Sequence, residues 1–313
     1  AVVVFSRDEA KQNAMRLDYE QRRVATDEVV YADHHSKLRF AIGDIADESS
    51  VHSAIREADV IFHAAALKQV PSCEYFPWQA VKTNVLGAEN IVRVIKKHGL
   101  PVNSVIGIST DKACKPVNVM GMTKALQERL FVQANLDCPN TRFVAARYGN
   151  VMGTRGSVIP LFLDQVAHGG PVTLTRSDMT RFMMTLDGAI DTVFAALVAA
   201  RRGEIYIPMV PAARIGDVAA AMIGDRHIEI VETGLRPGEK VHEILVSEEE
   251  ASRTFKRGDH LVITPALPEL AQPLEGPAMT AEYSSSAPLL DAPALARLLD
   301  EQGMLPPLTP ALV

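Results

Sequence analysis

Three cysteines in 313 residues, Cys73, Cys114 and Cys138, stand at no metal-ligand spacing from one another. So sparse and odd a set, with no secretory signal in view, excludes a disulfide-stapled scaffold and points to reduced thiols in the cytoplasm. The nine histidines form no H-x-H or H-x-x-x-H pair, so no metal is expected. No apolar run is long enough for a bilayer span, and no membrane partner is expected. A net charge of -6 argues against a nucleic-acid surface. Internal repeats and coiled-coil heptads are also lacking. What remains is ordinary for a soluble globular protein, 47% hydrophobic and 22% charged. The length suits one large α/β unit or two closely joined domains.

The first half of the chain alternates strand and helix patterns. Ala1-Val2-Val3-Val4-Phe5 is a continuous β-branched run that reads as a buried parallel strand, with Ser6 able to cap the helix after it. Further strands are expected at Leu38–Asp44, Val60–Ala66, Val105–Ser109 and Thr141–Tyr148. Helices are expected at Glu48–Ala58, Glu74–Lys97 with a break near Pro77, and Val119–Gln133. Strands alternating with helices imply right-handed βαβ units and a Rossmann-like, doubly wound parallel sheet. After Asn150 the rhythm loosens. The loop 153–157, a helix at Pro160–Val166, a strand at Val172–Thr175 and a long helix at Leu186–Arg201 lead to strands at Ile205–Ile207 and Ile228–Val231. A proline-rich segment from Pro265 to Pro310 contains one clear helix, capped by Asp291, striped by Leu295, Leu298 and Leu299, and ended by Gly303. The expected division is a dinucleotide-binding unit over 1–152, returning at about 182–202, and a smaller C-terminal α/β region over 153–181 and 203–313. A doubly wound dinucleotide fold opens with a strand, a Gly-rich turn and a helix. That turn is absent here, so the chain reads as beginning at the second strand, with one βα unit of about thirty residues expected before it.

Several strand ends carry groups suited to a cofactor. NAD enzymes place an acidic residue after the second strand, and NADP enzymes an uncharged residue with nearby Arg or Lys. Here Ser6 is neutral while Arg7 and Lys11 are basic, which favours NADP over NAD; a capped helix with surface charges is the plain alternative. Asp44 and Ile45 suit an adenine contact, although Gly-Asp is also a common strand exit. Ala64, Ala65 and Ala66 let a cofactor approach the backbone, or serve tight helix–sheet packing. Lys68 follows at once and would face phosphate or sugar if it lines the crevice. Asn150 could bond a sugar or its pyrophosphate, and 153–157 could cradle anions through backbone N–H groups. Arg181 and Arg236 are forked donors for a pyrophosphate, each equally open to a structural role.

Ser109-Thr110-Asp111-Lys112 closes the fourth strand, and Met120-Gly121-Met122-Thr123-Lys124 opens the following helix. Nucleotide-sugar enzymes of the short-chain dehydrogenase/reductase superfamily place Ser/Thr and then Tyr-x-x-x-Lys at these two positions. This chain keeps Lys124 but has Met120 where the tyrosine belongs, and a thioether cannot accept a hydroxyl proton. Together these stretches, with His63–Pro71, Arg147–Pro160, Met179–Phe182 and Arg236–Lys240, resemble the soluble UDP-N-acetylglucosamine 4,6-dehydratases of bacterial surface-sugar pathways. The resemblance runs from Ala1 to about Val246. Methionine before the lysine is similar to the capsule and O-antigen branch; Glu282-Tyr283-Ser284-Ser285 is similar to the flagellar branch. Both branches invert C5.

The resemblance implies a redox-neutral reaction. Hydride leaves C4, water is lost across C5 and C6, hydride returns to C6 and a proton adds to C5. It assigns Thr110 to the C4 oxygen, Asp111 to protonation of the leaving C6 hydroxyl, and Lys112 to the C5 proton as a partly neutral amine, a state that burial and Lys124 would favour. Lys124 would hold the nicotinamide ribose. Ser6, Arg7, Lys11, Asp44, Ile45, Ala64, Ala65, Ala66, Ser109 and Tyr148 would also line NADP. Lys68, Asn150, Ser157, Val158, Arg181, Arg236 and Glu239 would meet the UDP-sugar. The base for the C4 hydroxyl stays open between Asp111 and a water relayed by Thr110. A homo-oligomer is expected. Rival readings are a 4-epimerase or 5,6-dehydratase on the same scaffold, or a non-catalytic NADP-binding sensor. The Asp111-Lys112 pair favours dehydration, because an epimerase has no leaving water to protonate.

Overall fold

In this computed structural model the structure describes residues 1–19, 37–154 and 156–306. Arg155, inside the expected anion-cradling loop, and the end of the proline-rich segment, 307–313, lie outside the described residues.

Strand β1 (Val2–Ser6) leads into helix α1 (Glu9–Tyr19), and β2 (Leu38–Ile42) runs parallel to β1. The expected cap role of Ser6 is shifted by two residues: Asp8 accepts from the Lys11 backbone N–H, and the Ser6 hydroxyl accepts from Asp8. Asp8 wins because its carboxylate reaches the third helical N–H, the group a side-chain cap satisfies best. After α2 (Glu48–Ile55) and β3 (Val60–His63) come α3 (Val70–Tyr75), α4 (Pro77–Ala80), a π-helical turn (Val81–Leu86) and α5 (Gly87–His98). The break expected near Pro77 is there: Phe76 leaves the helical conformation and Pro77 restarts the helix. Strand β4 (Ser104–Thr110), a 3-10 turn (Asp111–Ala113), α6 (Val119–Asp137) and β5 (Arg142–Tyr148) complete the first half.

The second half adds α7 (Val158–Ala167), β6 (Val172–Leu174), β7 (Thr180–Phe182), α8 (Leu186–Ala199), β8 (Ile205–Pro208), β9 (Ala212–Arg214) and α9 (Ile215–Ile223). It continues with β10 (Ile230–Glu232), β11 (Ile244–Val246), α10 (Glu248–Ala251), β12 (Thr254–Arg257), β13 (His260–Ile263), β14 (Tyr283–Ser284) and α11 (Ala292–Glu301).

The main sheet has the order β12-β13-β8-β5-β4-β3. Strands β3, β4, β5 and β8 are parallel, with helices between them, as the alternating pattern predicts. The other edge departs from that prediction. β12 and β13 form a hairpin turned at Gly258-Asp259, and β13 pairs antiparallel with β8. Segments 205–208 and 254–263, assigned by sequence to the C-terminal region, thus extend the main sheet. The short hairpin carries Lys256 and Arg257 beside its apolar residues and offers no long apolar run to read.

Two of the apolar clusters among the described residues frame the site. Under the sheet, Val105 and Phe143 pack with Ile91, Val94, Ile95 and Phe131. In the second half, Phe162, Val172, Leu174, Val218, Met222, Leu295 and Leu299 join α7, β6, α9 and α11. Asp291 caps α11 as expected, accepting from the Ala294 N–H. A side chain on Gly107 of β4 would begin 2.4 Å from Phe131, so this glycine lets α6 sit close to the sheet and sets the height at which α6 presents Lys124.

Candidate active site

The C-terminal end of β4 is the centre of the site. Thr110 is the last strand residue and caps the 3-10 turn that carries Asp111 and Lys112. Its hydroxyl donates to Asp111 Oδ1 (2.9 Å) and accepts from the Lys112 backbone N–H (3.3 Å). Asp111 is buried; Lys112 Nζ donates to its Oδ1 at 3.0 Å, while Oδ2 has no hydrogen-bond partner. A buried acceptor without a partner is unfavourable unless a ligand supplies one.

Lys112 meets a second carboxylate. Glu243 Oε1 lies 3.2 Å from Nζ, and Arg181 Nε lies 3.8 Å from the same oxygen. This alters the expected state of Lys112. Burial does disfavour its ammonium form, but Asp111 and Glu243 outweigh burial and hold the group above the ordinary lysine range. The depressed amine is Lys124. Burial in α6 brings it down to about 8 against the opposing charge of Glu128, and its Nζ donates to Gln127 at 2.6 Å. Burial, then the charge of Lys124, brings His63 at the end of β3 down to about 3, so the imidazole is neutral and its Nε2 has no partner.

Met120 packs against Cys73 and Ala80, with Leu67, Val70 and Val119 around it. The position of the absent tyrosine is therefore part of an apolar cluster. Gly121 beside it allows α6 to touch the catalytic turn: a Cβ there would lie 2.2 Å from the Lys112 carbonyl oxygen.

The cofactor candidates divide. Arg7 and Asp44 meet at 3.3 Å across the ends of β1 and β2, both well exposed. Asp44 Oδ1 also accepts from the Ala46 N–H. Lys11 turns instead to Asp8 at 2.9 Å. Ile45 is packed into the core cluster with Val51, its side chain against Gly87. Ala64, Ala65 and Ala66 follow β3 and remain accessible. The Ser109 hydroxyl points into the core and donates to Glu128 at 2.5 Å, because successive residues of a strand face opposite sides of the sheet. Tyr148 is half-buried at the end of β5, and burial pushes its phenol up.

Among the substrate candidates, Asn150, Lys68 and Arg236 are exposed. Ser157 precedes α7 with its hydroxyl buried and without a hydrogen-bond partner, and Val158 packs on the second core. Arg181 is mostly turned inward, its Nη1 donating to the carbonyls of Thr180 (2.7 Å) and Val241 (3.2 Å). Glu239 has a buried Oε2 without a partner. The turn that carries Arg236 and Glu239 docks on the catalytic side, for Asn118 at the start of α6 donates to the Gly238 carbonyl (2.8 Å) and Lys240 to that of Cys114 (2.6 Å).

Four residues were missed by sequence reasoning. Asn84, in the π-helical turn, bonds the backbone of Leu67 and the Thr123 hydroxyl, tying the Lys68 loop to the Lys124 helix. Glu128 and Glu250 clamp Arg147, which is fully buried; Glu128 reaches its Nη2 at 2.6 Å and Glu250 its Nη1 at 2.7 Å. One signal could have found Glu128: it follows Lys124 by four residues, one turn along the same helix face. The fourth miss, Glu243, stands in a run of mixed charge with no distinguishing pattern.

Residues 1–265 match the family described as polysaccharide biosynthesis protein, and the chain belongs to that family. Its α/β fold is that of the extended short-chain dehydrogenases/reductases. The chain is 46% identical over 240 residues, 73% of its length, to an uncharacterised membrane protein of Methanocaldococcus jannaschii, covering 72% of that protein. It is 42% identical over 262 residues, 82% of its length, to a protein named UDP-glucose 4-epimerase from Rickettsia typhi, again covering 72% of it. The X-ray structure of Pen from Bacillus thuringiensis superposes with a TM-score of 0.86 at 34% identity, over 97% of this chain and 90% of that one. The dTDP-glucose 4,6-dehydratase DesIV of Streptomyces venezuelae, with NAD and DAU bound, shares the fold at 19% identity, with a TM-score of 0.62, over 77% of this chain and 87% of that one. Among the described residues no helix is long and apolar enough to cross a membrane.

Proposed function

We propose that this chain is an NADP-dependent UDP-N-acetylglucosamine 4,6-dehydratase that inverts C5 and serves surface-glycan synthesis. One observation carries the reading: an acid and an amine, Asp111 and Lys112, lie 3.0 Å apart at the strand end, with a buried acid oxygen unpartnered and Met120 at the usual tyrosine position. Oxidation alone needs one proton acceptor; loss of water needs an acid as well. A nicotinamide dinucleotide fits the residues present. Arg7 offers a cation at the ribose edge, Ala64–Ala66 leave the backbone approachable, and Lys124 is a buried amine that donates to Gln127. When bound, that group supplies a hydride acceptor at C4 and a hydride donor at C6.

The residues then do the proton work. Asp111 takes the C4 hydroxyl proton through Oδ2, with Thr110 aligning the C4 oxygen. The same carboxyl gives that proton to the departing C6 hydroxyl, so one acid serves both steps. Lys112 moves the C5 proton. Arg236, Glu239, Asn150, Lys68 and the Ser157-Val158 turn hold the UDP moiety.

The test is proton NMR of UDP-N-acetylglucosamine in deuterated water with the full-length protein and catalytic NADP. A new C6 methyl signal with deuterium at C5 is expected, and couplings of product formed in ordinary water assign C5. The Rickettsia relatives support a second reading, a UDP-sugar 4-epimerase. The same spectrum separates the two, since epimerisation inverts C4 and creates no methyl group.

A further inference from the structure

Glu243 lies directly before β11, and its backbone is clamped by the strand opposite. Its N–H donates to the Ser285 hydroxyl (2.9 Å), and its carbonyl accepts from the Ser285 N–H (2.8 Å). The carboxylate therefore has a fixed base, and it is buried. Oε1 faces Lys112 at 3.2 Å, while Oε2 has no hydrogen-bond partner. The charged groups facing this pair are Asp111 from the catalytic turn, Arg181 from β7 and Lys240 from the segment before Glu243. His242 turns away and bonds Thr180. Lys112 thus rests as an ammonium between two carboxylates, and an ammonium cannot take a proton from carbon.

On the dehydratase reading, the reaction moves two protons at once through this corner. One belongs to the hydroxyl leaving C6, and Asp111 carries it. The other must leave Lys112 before C5 can be deprotonated, and only a second carboxylate can receive it. We propose that Glu243 is that carboxylate, the proton-holding partner that turns Lys112 into a base when the sugar fills the site. The step balances. An N–H bond of Lys112 breaks and an O–H bond forms on Glu243. The neutral Nζ then takes the C5 proton, the C5 electron pair forms the C5–C6 double bond, and the C6–O bond breaks as Asp111 completes the water. Because C5 is inverted, the returning proton reaches C5 from the opposite face by way of solvent, and the proton held by the Lys112–Glu243 pair leaves to solvent. Filling the site removes water from around the pair, which disfavours separated charges and drives the proton from nitrogen to oxygen.

The test uses the full-length protein and its Glu243→Gln and Glu243→Asp variants. Competitive acetylation with acetic anhydride across pH, read on the Lys112 peptide by mass spectrometry, reports the lysine's protonation without any substrate. Glu243→Gln should move the labelling midpoint to lower pH by about one unit or more, as loss of an opposite charge at this range does, and Glu243→Asp should keep it near the wild type. With UDP-N-acetylglucosamine, Glu243→Gln should slow C5 deuterium exchange about 100-fold while the transient 340 nm absorbance from C4 oxidation persists. An unmoved midpoint, or exchange lost only in step with C4 oxidation, overturns the relay. Should Glu243→Gln not fold, a Glu243→Asp midpoint shifted to lower pH does the same. If the wild type forms no methyl product, the dehydratase reading fails, and a normal Glu243→Gln labelling midpoint would separately remove the Lys112–Glu243 couple.

Discussion

Two buried charge clusters sit on either side of the catalytic turn, and they are built in opposite ways. Around Arg147 every oxygen is engaged: Glu128 and Glu250 each reach the guanidinium through both carboxylate oxygens, and Leu245 adds a carbonyl. Around Lys112 two carboxylate oxygens, on Asp111 and on Glu243, lack hydrogen-bond partners. A saturated network fixes structure, whereas an unsaturated one keeps positions open for a reacting molecule. The clusters touch neighbouring residues of one strand end, since Ser109 bonds Glu128 and Thr110 bonds Asp111. The first holds the strand and helix still while the second works.

Substitutions should separate the two. Lys112→Ala is expected to lower turnover by about 10²–10⁴-fold, with Asp111→Asn in the same range. Full C5 exchange in Lys112→Ala would remove that residue from its role. Arg147→Met should instead unfold the chain, costing about 3–5 kcal/mol in urea titration because two buried carboxylates lose their partner. Adding Glu128→Gln and Glu250→Gln to Arg147→Met should recover part of that loss.

The third expectation concerns acid. Burial pushes Glu250 up, but the hydrogen bonds and charge of Arg147 bring it down to about 2, below its ordinary 4.5. A carboxylate depressed on folding contributes stability that is complete above about 4.5 and is lost as pH falls through about 2. Wild type should therefore exceed Glu250→Gln by about 3 kcal/mol near neutrality, with the gap closing across that window. A gap constant from pH 6 to pH 2 would contradict the coupling. The smallest effect is expected at Met120. Restoring tyrosine there should overfill the Cys73–Ala80 cluster and cost about 1–3 kcal/mol, visible as a lower Tm, without raising the yield of methyl product.

The strands β3, β4 and β5 were legible because sheets covered on both faces demand unbroken apolar runs, as in Val105-Ile106 and Phe143-Val144. The Thr110–Lys112 turn and Lys124 were legible because they are near in sequence. What escaped has a common physical cause. Glu243 reaches Lys112, and Glu250 reaches Arg147, across 131 and 103 residues of chain respectively. A charged residue with a distant partner looks, in sequence, like any solvated surface charge. The π-helical turn at Val81–Leu86 is likewise invisible, since its apolar spacing is that of an ordinary helix. The balance of charge that keeps Lys112 protonated rests on one of those distant partners.

Gly121 bears on how variation in this gene product should be read. It has no functional group and touches no reacting atom, yet the space for its missing side chain is already filled by the carbonyl of Lys112. A saturation scan of this chain should therefore show position 121 as intolerant as the acid and the amine themselves, and an inactive natural variant there would mark a lesion of spacing in a protein whose chemical groups are all intact.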